Sequence, residues 1–342
     1  MTSATNPAQR PLAGRVAVVA GATRGAGRGI ARALGEAGAI VYCTGRSVTG
    51  NPPPYGRPET IDETAAMINT AGGTAIAVRV DHTVESEVEA LFARVQREQG
   101  RLDVVVDSVA GEDPMNQAFD WFWEVDLTHA AKGLENALVS HLITAKHAAR
   151  VMIPARRGLI VQVTEGDAMS SGGHPVSQVV KLGLKGMALT MAAALHPHGV
   201  AAIAITPGFL RSESMLEHFG VTEANWRDGA KKDSNFLASE SPLFVGRAVA
   251  ALAADPNVMA RTGQLCSSWE LSREYGFTDA DGTRPDWGRT KLDFSMFPPE
   301  LQAYFRTDTR LTLEWLRTVT ERTRSFMTQL PADPGSVASG ET

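Results

Sequence analysis

The sequence predicts an α/β fold, a doubly wound parallel sheet with helices on both faces. Three observations carry this expectation. Short apolar runs alternate with segments of helical period along most of the chain. Runs such as residues 16–20 and 102–106 are nearly continuous in apolar residues, as strands buried on both faces are. The first run ends in a glycine-rich turn that opens into an alanine-rich helix.

The elements follow in order. Residues 16–20 form a strand. The turn Gly21-Ala22-Thr23-Arg24-Gly25-Ala26-Gly27 leads into a helix carrying Ala31, Leu34 and Ala37. A second strand over 40–43 stops at Thr44-Gly45-Arg46, completing a βαβ unit. A helix is expected over 61–71 and a strand over 75–80. In 85–100, Val88, Leu91, Phe92 and Val95 recur at helical spacing, and 102–106 reads as the next strand. Helices over 132–152, 177–195 and 241–253 then alternate with strands over 159–163, 200–205 and 262–267. The chain divides into a polar tail (1–12), one doubly wound domain (13–275) and a C-terminal extension (276–342). The extension is polar over 279–293, patterned as an amphipathic helix over 299–327 and frayed over 331–342.

Composition narrows the function. The 342 residues are 43% hydrophobic and 21% charged, as in a soluble globular protein. A net charge of −5 argues against a nucleic-acid partner held by a general positive field. Two cysteines, Cys43 and Cys266, exclude a disulfide scaffold and fit a reducing, cytoplasmic setting. No run of about 18 apolar residues predicts a membrane span, and the start lacks the apolar core of a signal peptide. His141 and His147 lie six apart with no cysteine or carboxylate at ligand spacing, so no metal site is expected.

The glycine turn is where chemistry enters. Backbone N–H groups at a strand–helix turn point at phosphate, and glycines let it approach. The spacing Gly21, Gly25, Gly27 is neither the strict GxGxxG fingerprint, since Ile30 holds its last position, nor a P-loop. An NAD site would carry an acid after the second strand. Here Arg46 stands instead, and a guanidinium pairs with the 2′-phosphate of NADP, with Arg24 as a second positive charge.

These blocks resemble the short-chain dehydrogenase/reductase family. Residues 20–27 are similar to its TGxxxGxG turn, with Ala20 for threonine. Asp81 matches its adenine-contacting aspartate, and residues 102–111 resemble LDVLVNNAG with both asparagines replaced. Lys181 falls at the YxxxK lysine, residues 207–212 match PGxxxT with Ser212 for threonine, and Thr262-Gly263-Gln264 matches TGQ. Residues 252–257 and 271–282 are similar to a branch of NADP-dependent carbonyl reductases. The resemblance implies a Rossmann-like domain that binds NADP through Gly21, Thr23, Arg24, Gly25, Ala26, Gly27, Arg46, Asp81, His82, Ser108, Ala110, Lys181, Pro207, Gly208, Phe209 and Ser212. It also implies a homo-oligomer formed through the helices over 132–152 and 177–195.

The centre departs from the family. Its chemistry needs a tyrosine, whose pKa of about 10 is lowered by a nearby lysine and the oxidised nicotinamide. Four residues before Lys181 stands Ser177, an aliphatic hydroxyl and a much weaker acid. The family's serine position reads Thr164-Glu165, and its helical asparagine falls on Ala137, with Asn136 adjacent. Glu165 and His174, on the loop after the fifth strand, are candidate proton donors, as is ordered water. The aromatic block over 118–123 and the lid over 209–233 suggest a hydrophobic small-molecule substrate. The expected activity is NADP(H)-dependent reduction of a hydrophobic carbonyl or activated double bond. A non-redox cyclase, isomerase or lyase, or a silent NADP-binding protein, is the alternative.

Overall fold

A computed structural model of the chain describes residues 10–51, 57–110, 123, 125–167 and 175–290. Seven strands form one parallel sheet in the order β3-β2-β1-β4-β5-β6-β7. They are β1 Val16–Ala20, β2 Ile40–Gly45, β3 Thr74–Arg79, β4 Val104–Asp107, β5 Gly158–Val163, β6 Val200–Thr206 and β7 Leu265–Ser267. All the expected strands form. β4 starts later than the apolar run suggests, just after Asp103, whose backbone still bonds Val16 O and the Leu159 N–H at 2.9 Å. Its carboxylate accepts from the Val16 N–H at 2.8 Å and from Arg101 at 2.7 and 2.8 Å.

The helices are α1 Gly25–Glu36, α2 Ile61–Thr70, α3 Glu85–Gln99, α4 Leu127–Leu134, α5 Ser140–Ala155, α6 Pro175–Leu195, α7 Glu213–Phe219, α8 Pro242–Ala254 and α9 Ser268–Tyr275. A capping box of Thr60 and Glu63 starts α2. The two faces of the sheet follow its period of two. Ala17, Val19, Val41 and Val106 pack with Ile30 and Leu34 of α1 and Val245 and Val249 of α8. Val16, Val18, Tyr42 and Val105 pack with Val88, Leu91 and Phe92 of α3 and Met152 of α5.

Helices α1 and α8 meet backbone to backbone. A Cβ at Gly29 would lie 1.9 Å from the Pro242 carbonyl oxygen, and one at Gly246 would lie 2.3 Å from that of Gly29. Gly29 thus lets α1 and α8 pack closely, while Gly27, where a Cβ would lie 2.1 Å from Gly21 O, lets α1 pack on the turn.

The helix expected over 132–152 begins earlier, at Leu127, and is interrupted by a π turn at Glu135–Val139. The turn inserts one residue, so a gap-free reading slips there. It buries both Asn136 and Ala137, and no hydrogen-bond partner reaches Asn136 Oδ1. Helix α6 is the one described helix long and apolar enough to cross a membrane. Here it lies on the sheet, with Val180 and Leu184 packed on Ala137. Beyond α9, residues 276–290 pack back onto the domain. The helix expected over 299–327 and the fraying tail lie outside the described residues.

Candidate active site

Strand order reverses between β1 and β4, and the glycine turn sits at that switch point, beyond the carboxyl ends of the strands. Gly21 has φ +79°, and a Cβ there would come within 2.4 Å of the Ser108 carbonyl oxygen. The N–H groups of Gly21 and Ala22 both donate to Thr44 O, at 2.9 and 3.1 Å. Arg28 Nε donates to Thr23 O at 2.9 Å, holding the far side of the turn. The groove above the turn is therefore framed by backbone. The Arg24 side chain is partly exposed at the start of α1, ahead of Gly25, Ala26 and Gly27.

Arg46 stands just past β2 and lies 3.8 Å from the Asp81 carboxylate, its own side chain 38% exposed. Burial pushes Asp81 up, but hydrogen bonds from Thr83 and the charge of Arg46 leave it below its usual value. Both expected nucleotide contacts therefore flank one end of the groove. His82 does not join them through its ring. Its imidazole is buried, with Nε2 2.8 Å from Thr44 Oγ1 and Nδ1 2.8 Å from Thr144 Oγ1. Burial, with the neighbouring His141 next, lowers its pKa to about 3, so it is a neutral strut behind the site.

A second buried chain supports the loop after β4. Gln162 Nε2 donates to Asp107 Oδ2 at 2.6 Å, and Gln162 Oε1 lies 2.7 Å from His141 Nδ1. His141 Nε2 lies 2.9 Å from Val109 O. Asp107 stands where the family has an asparagine; burial raises its pKa, and its other oxygen, Oδ1, meets no hydrogen-bond partner among the described residues. These contacts pin the backbone between Ser108, half-buried, and Ala110, exposed.

Ser177, Lys181 and Lys185 follow one another at intervals of four along α6, on one face. Thr164 is buried, and its hydroxyl donates to Lys181 O at 2.9 Å, committing the proton expected to serve a substrate. Glu165 is exposed. His174 and residues 118–122 of the aromatic block lie outside the described residues; Trp123 is exposed. Lys185 is a feature the sequence reading passed over. Burial lowers its pKa to about 8, against the opposing charges of Asp167 and Glu165. Asp167 is in turn raised by burial, with Glu270 adding to the effect. A lysine in an apolar helix was visible; that it faces inward was not.

The lid begins at the end of β6. The Pro207 carbonyl accepts from Thr206 Oγ1 at 2.8 Å, and the Gly208 N–H donates to Glu240 Oε2 at 2.9 Å. Burial lifts Glu240 to about 8 despite the Ser268 and Gly208 hydrogen bonds. Phe209 packs edge-on against Phe219, Phe236 and Trp287, with centroids 5.3–6.0 Å apart. Ser212 caps α7, its hydroxyl accepting from the Met215 N–H at 3.3 Å. Trp287 Cβ would touch any side chain at Gly208, at 2.9 Å. The segment after α9 thus forms one wall of the lid.

The family pattern for short chain dehydrogenases matches residues 15–220, most of the sheet and the start of the lid. The chain is a short-chain dehydrogenase/reductase. It is 37% identical to dehydrogenase/reductase SDR family member 1 of Mus musculus over 277 residues, covering 80% of this chain and 85% of that protein. The Homo sapiens protein of the same name is 35% identical over the same lengths. Among solved structures, a single-residue variant of actinorhodin polyketide ketoreductase with NADPH superposes with a TM-score of 0.61. It is 23% identical and covers 74% of this chain and 95% of its own, a likeness of fold.

As a short-chain dehydrogenase/reductase, the chain belongs to a family of NAD(P)-dependent oxidoreductases and carries that family's nicotinamide-coenzyme fold. Among the described residues no three of His, Cys, Asp and Glu come together to hold a metal. Both thiols are buried, which pushes Cys43 and Cys266 up to about 12 and leaves them poor nucleophiles.

Proposed function

We propose that this short-chain dehydrogenase/reductase is an NADP(H)-dependent oxidoreductase that reduces a hydrophobic carbonyl compound or activated double bond. The observation that carries the coenzyme preference is Arg46, beyond β2, where an NAD-specific site keeps an acid. The turn suits a dinucleotide: it is glycine-rich, and the absence of a side chain at Gly21 lets it lie against the Ser108 backbone of the loop after β4. Gly21 to Gly27 would hold the diphosphate, Arg46 with Arg24 the 2′-phosphate and Asp81 the adenine. Ser108, Ala110 and Lys181 would hold the nicotinamide half, and residues 207–212 its outer side. The coenzyme supplies the hydride.

The chain's own residues orient the substrate and handle charge. Phe209 and the aromatic residues behind it give the lid an apolar face suited to a hydrophobic substrate. The Ser177 hydroxyl donates a hydrogen bond to the substrate oxygen, and the Lys181 ammonium offsets the negative charge that develops on it. No phenol stands on α6, so the proton that completes the reduction comes from Glu165, His174 or ordered water. Leu142 of α5 and Val179 of α6 expose apolar side chains, in keeping with a homo-oligomer built through these helices.

One observation favours a second reading, a coenzyme-binding protein without redox turnover. The Thr164 hydroxyl is engaged on Lys181 O, and a serine stands where the phenol would be. Titration with NADPH and NADH, followed by NADPH oxidation on a panel of aromatic and aliphatic ketones, separates the two. Tighter NADPH binding with turnover supports the oxidoreductase. Binding without turnover on any substrate supports the second reading. Arg46→Glu should reverse the preference towards NADH, and unchanged preference would remove Arg46 from the argument.

A further inference from the structure

The lid helix α7 carries two acids one turn apart, Glu213 and Glu217, and both engage the nucleotide half of the fold. Glu213 Oε2 accepts from the Gly25 N–H at 2.8 Å, and its other oxygen lies 3.6 Å from Arg28. Glu217 receives both terminal nitrogens of Arg57, at 2.9 and 3.1 Å. Arg57, which like Arg46 lies between β2 and α2, also holds the buried Glu59 with a 2.6 Å contact. Packing agrees with the charges. Ser212 Cβ and a Leu210 methyl lie 3.7 and 3.9 Å from where a Cβ on Gly25 would be. The leading edge of the lid rests on the glycine turn.

An N–H at the first turn of a helix attracts an anion, through its unsatisfied donor and the positive end of the dipole. Here the anion is a side chain of the protein itself. We infer that α7 is a phosphate-mimicking strap: Glu213 holds the place of the coenzyme diphosphate at Gly25, and coenzyme binds by displacing it. The inference rests on the coenzyme reading proposed above. One N–H cannot serve a carboxylate and a phosphate fully at once, and the two anions repel across so short a gap. Coenzyme affinity is therefore lowered by the fraction of molecules in which the strap is docked. Release of α7 also breaks the Glu217–Arg57 pair, leaving Arg57 on Glu59 between β2 and α2. The strap thus links nucleotide entry to opening of the substrate side.

The test is isothermal titration of NADP+ into the full chain and its Glu213→Gln and Glu217→Gln variants, with hydrogen exchange on α7. An amide removes the charge but keeps the side-chain length. Glu213→Gln should bind NADP+ about tenfold more tightly, a usual size for coupling between sites. Glu217→Gln should show a smaller gain. In the unaltered protein, exchange over residues 213–219 should speed up on adding NADP+, because the helix is released. Unchanged or weaker binding by Glu213→Gln overturns the strap, as does slower exchange in α7 with NADP+, the mark of a lid that closes on the coenzyme. If neither the unaltered protein nor any variant binds NADP+, the coenzyme reading itself falls.

Discussion

At the scale of single residues, Ser177 decides how the chemistry runs. It is buried at the start of α6, four residues ahead of Lys181, where a phenol would act as acid. General acid catalysis commonly contributes about 100-fold or more. Ser177→Tyr should therefore raise NADPH-dependent ketone reduction by at least about 100-fold, with a pH–rate profile that falls on the alkaline side as the phenol ionises. A variant that binds NADPH normally yet gains no rate would show that the site is built for other chemistry. Glu240 poses a different question. Burial raises it to about 8, so the folded protein binds a proton there that the unfolded chain releases near pH 4.5. Stability from this group is greatest below that unfolded value and is lost as pH rises towards 8. Glu240→Gln copies the neutral form and keeps an oxygen for Gly208 and Ser268. Urea unfolding should find it more stable than the parent at pH 8.5, by at least about 2 kcal/mol, and equal to it near pH 4. A parent whose stability does not fall between pH 5 and 8 would contradict this.

At the scale of elements, most of the sheet was legible because a buried parallel strand leaves a dense apolar signature. Residues 16–20 and 200–205 need no tertiary knowledge to be read as strands. Other features left no such mark. The π turn at Glu135–Val139 changes register by one residue without breaking the apolar spacing, so a gap-free reading settles on Ala137 and passes over Asn136, buried beside it. Lys185 and Glu213 are ordinary letters on helices until their neighbours are known. Gly29 is a stray glycine when the fingerprint is read for phosphate contact rather than for helix packing. Its role is open to direct test. A methyl at Gly29 would sit 1.9 Å from the Pro242 carbonyl, a backbone atom that cannot yield without moving α8. Gly29→Ala should cost about 2 kcal/mol in denaturant unfolding, the usual range for overpacking. It should also weaken NADP+ binding, since α1 carries the N–H groups of the turn. The milder change Ala26→Ser, on a half-buried position of the same helix, should leave stability nearly unaltered. Equal losses at both positions would remove the packing argument.

At the scale of the whole molecule, residues 276–290, the start of the expected C-terminal extension, help hold the lid to the sheet. Asp279 is fully buried and its carboxylate takes four contacts, one of them from the Ala280 N–H at 2.7 Å. It accepts from the Ser241 N–H at 2.8 Å and from the Ser241 hydroxyl, and pairs with Arg211 at 3.2 Å. Arg211 is itself 1% exposed, donates to Ser239 O at 2.6 Å and lies 4.0 Å over the Trp226 ring. One carboxylate therefore joins the segment after α9, the lid aromatics and the start of α8. Such a pair adds little beyond its own desolvation, but removing Asp279 leaves Arg211 with only Glu223, at 2.8 Å, as a charge partner and strips the buried Ser241 donors of their acceptor. Asp279→Ala should destabilise the protein by about 3 kcal/mol in urea unfolding, whereas Arg211→Met combined with Asp279→Leu should recover much of that loss. The same single change should loosen the wall formed by Trp287 on Phe209 and Gly208. Ketone KM should then rise more than NADPH affinity falls, because Arg46, Asp81 and the glycine turn follow strands β2, β3 and β1, which Asp279 does not touch. If Asp279→Ala instead weakened NADPH binding and left KM unchanged, the segment after α9 would belong to the nucleotide half of the molecule and not to the substrate side.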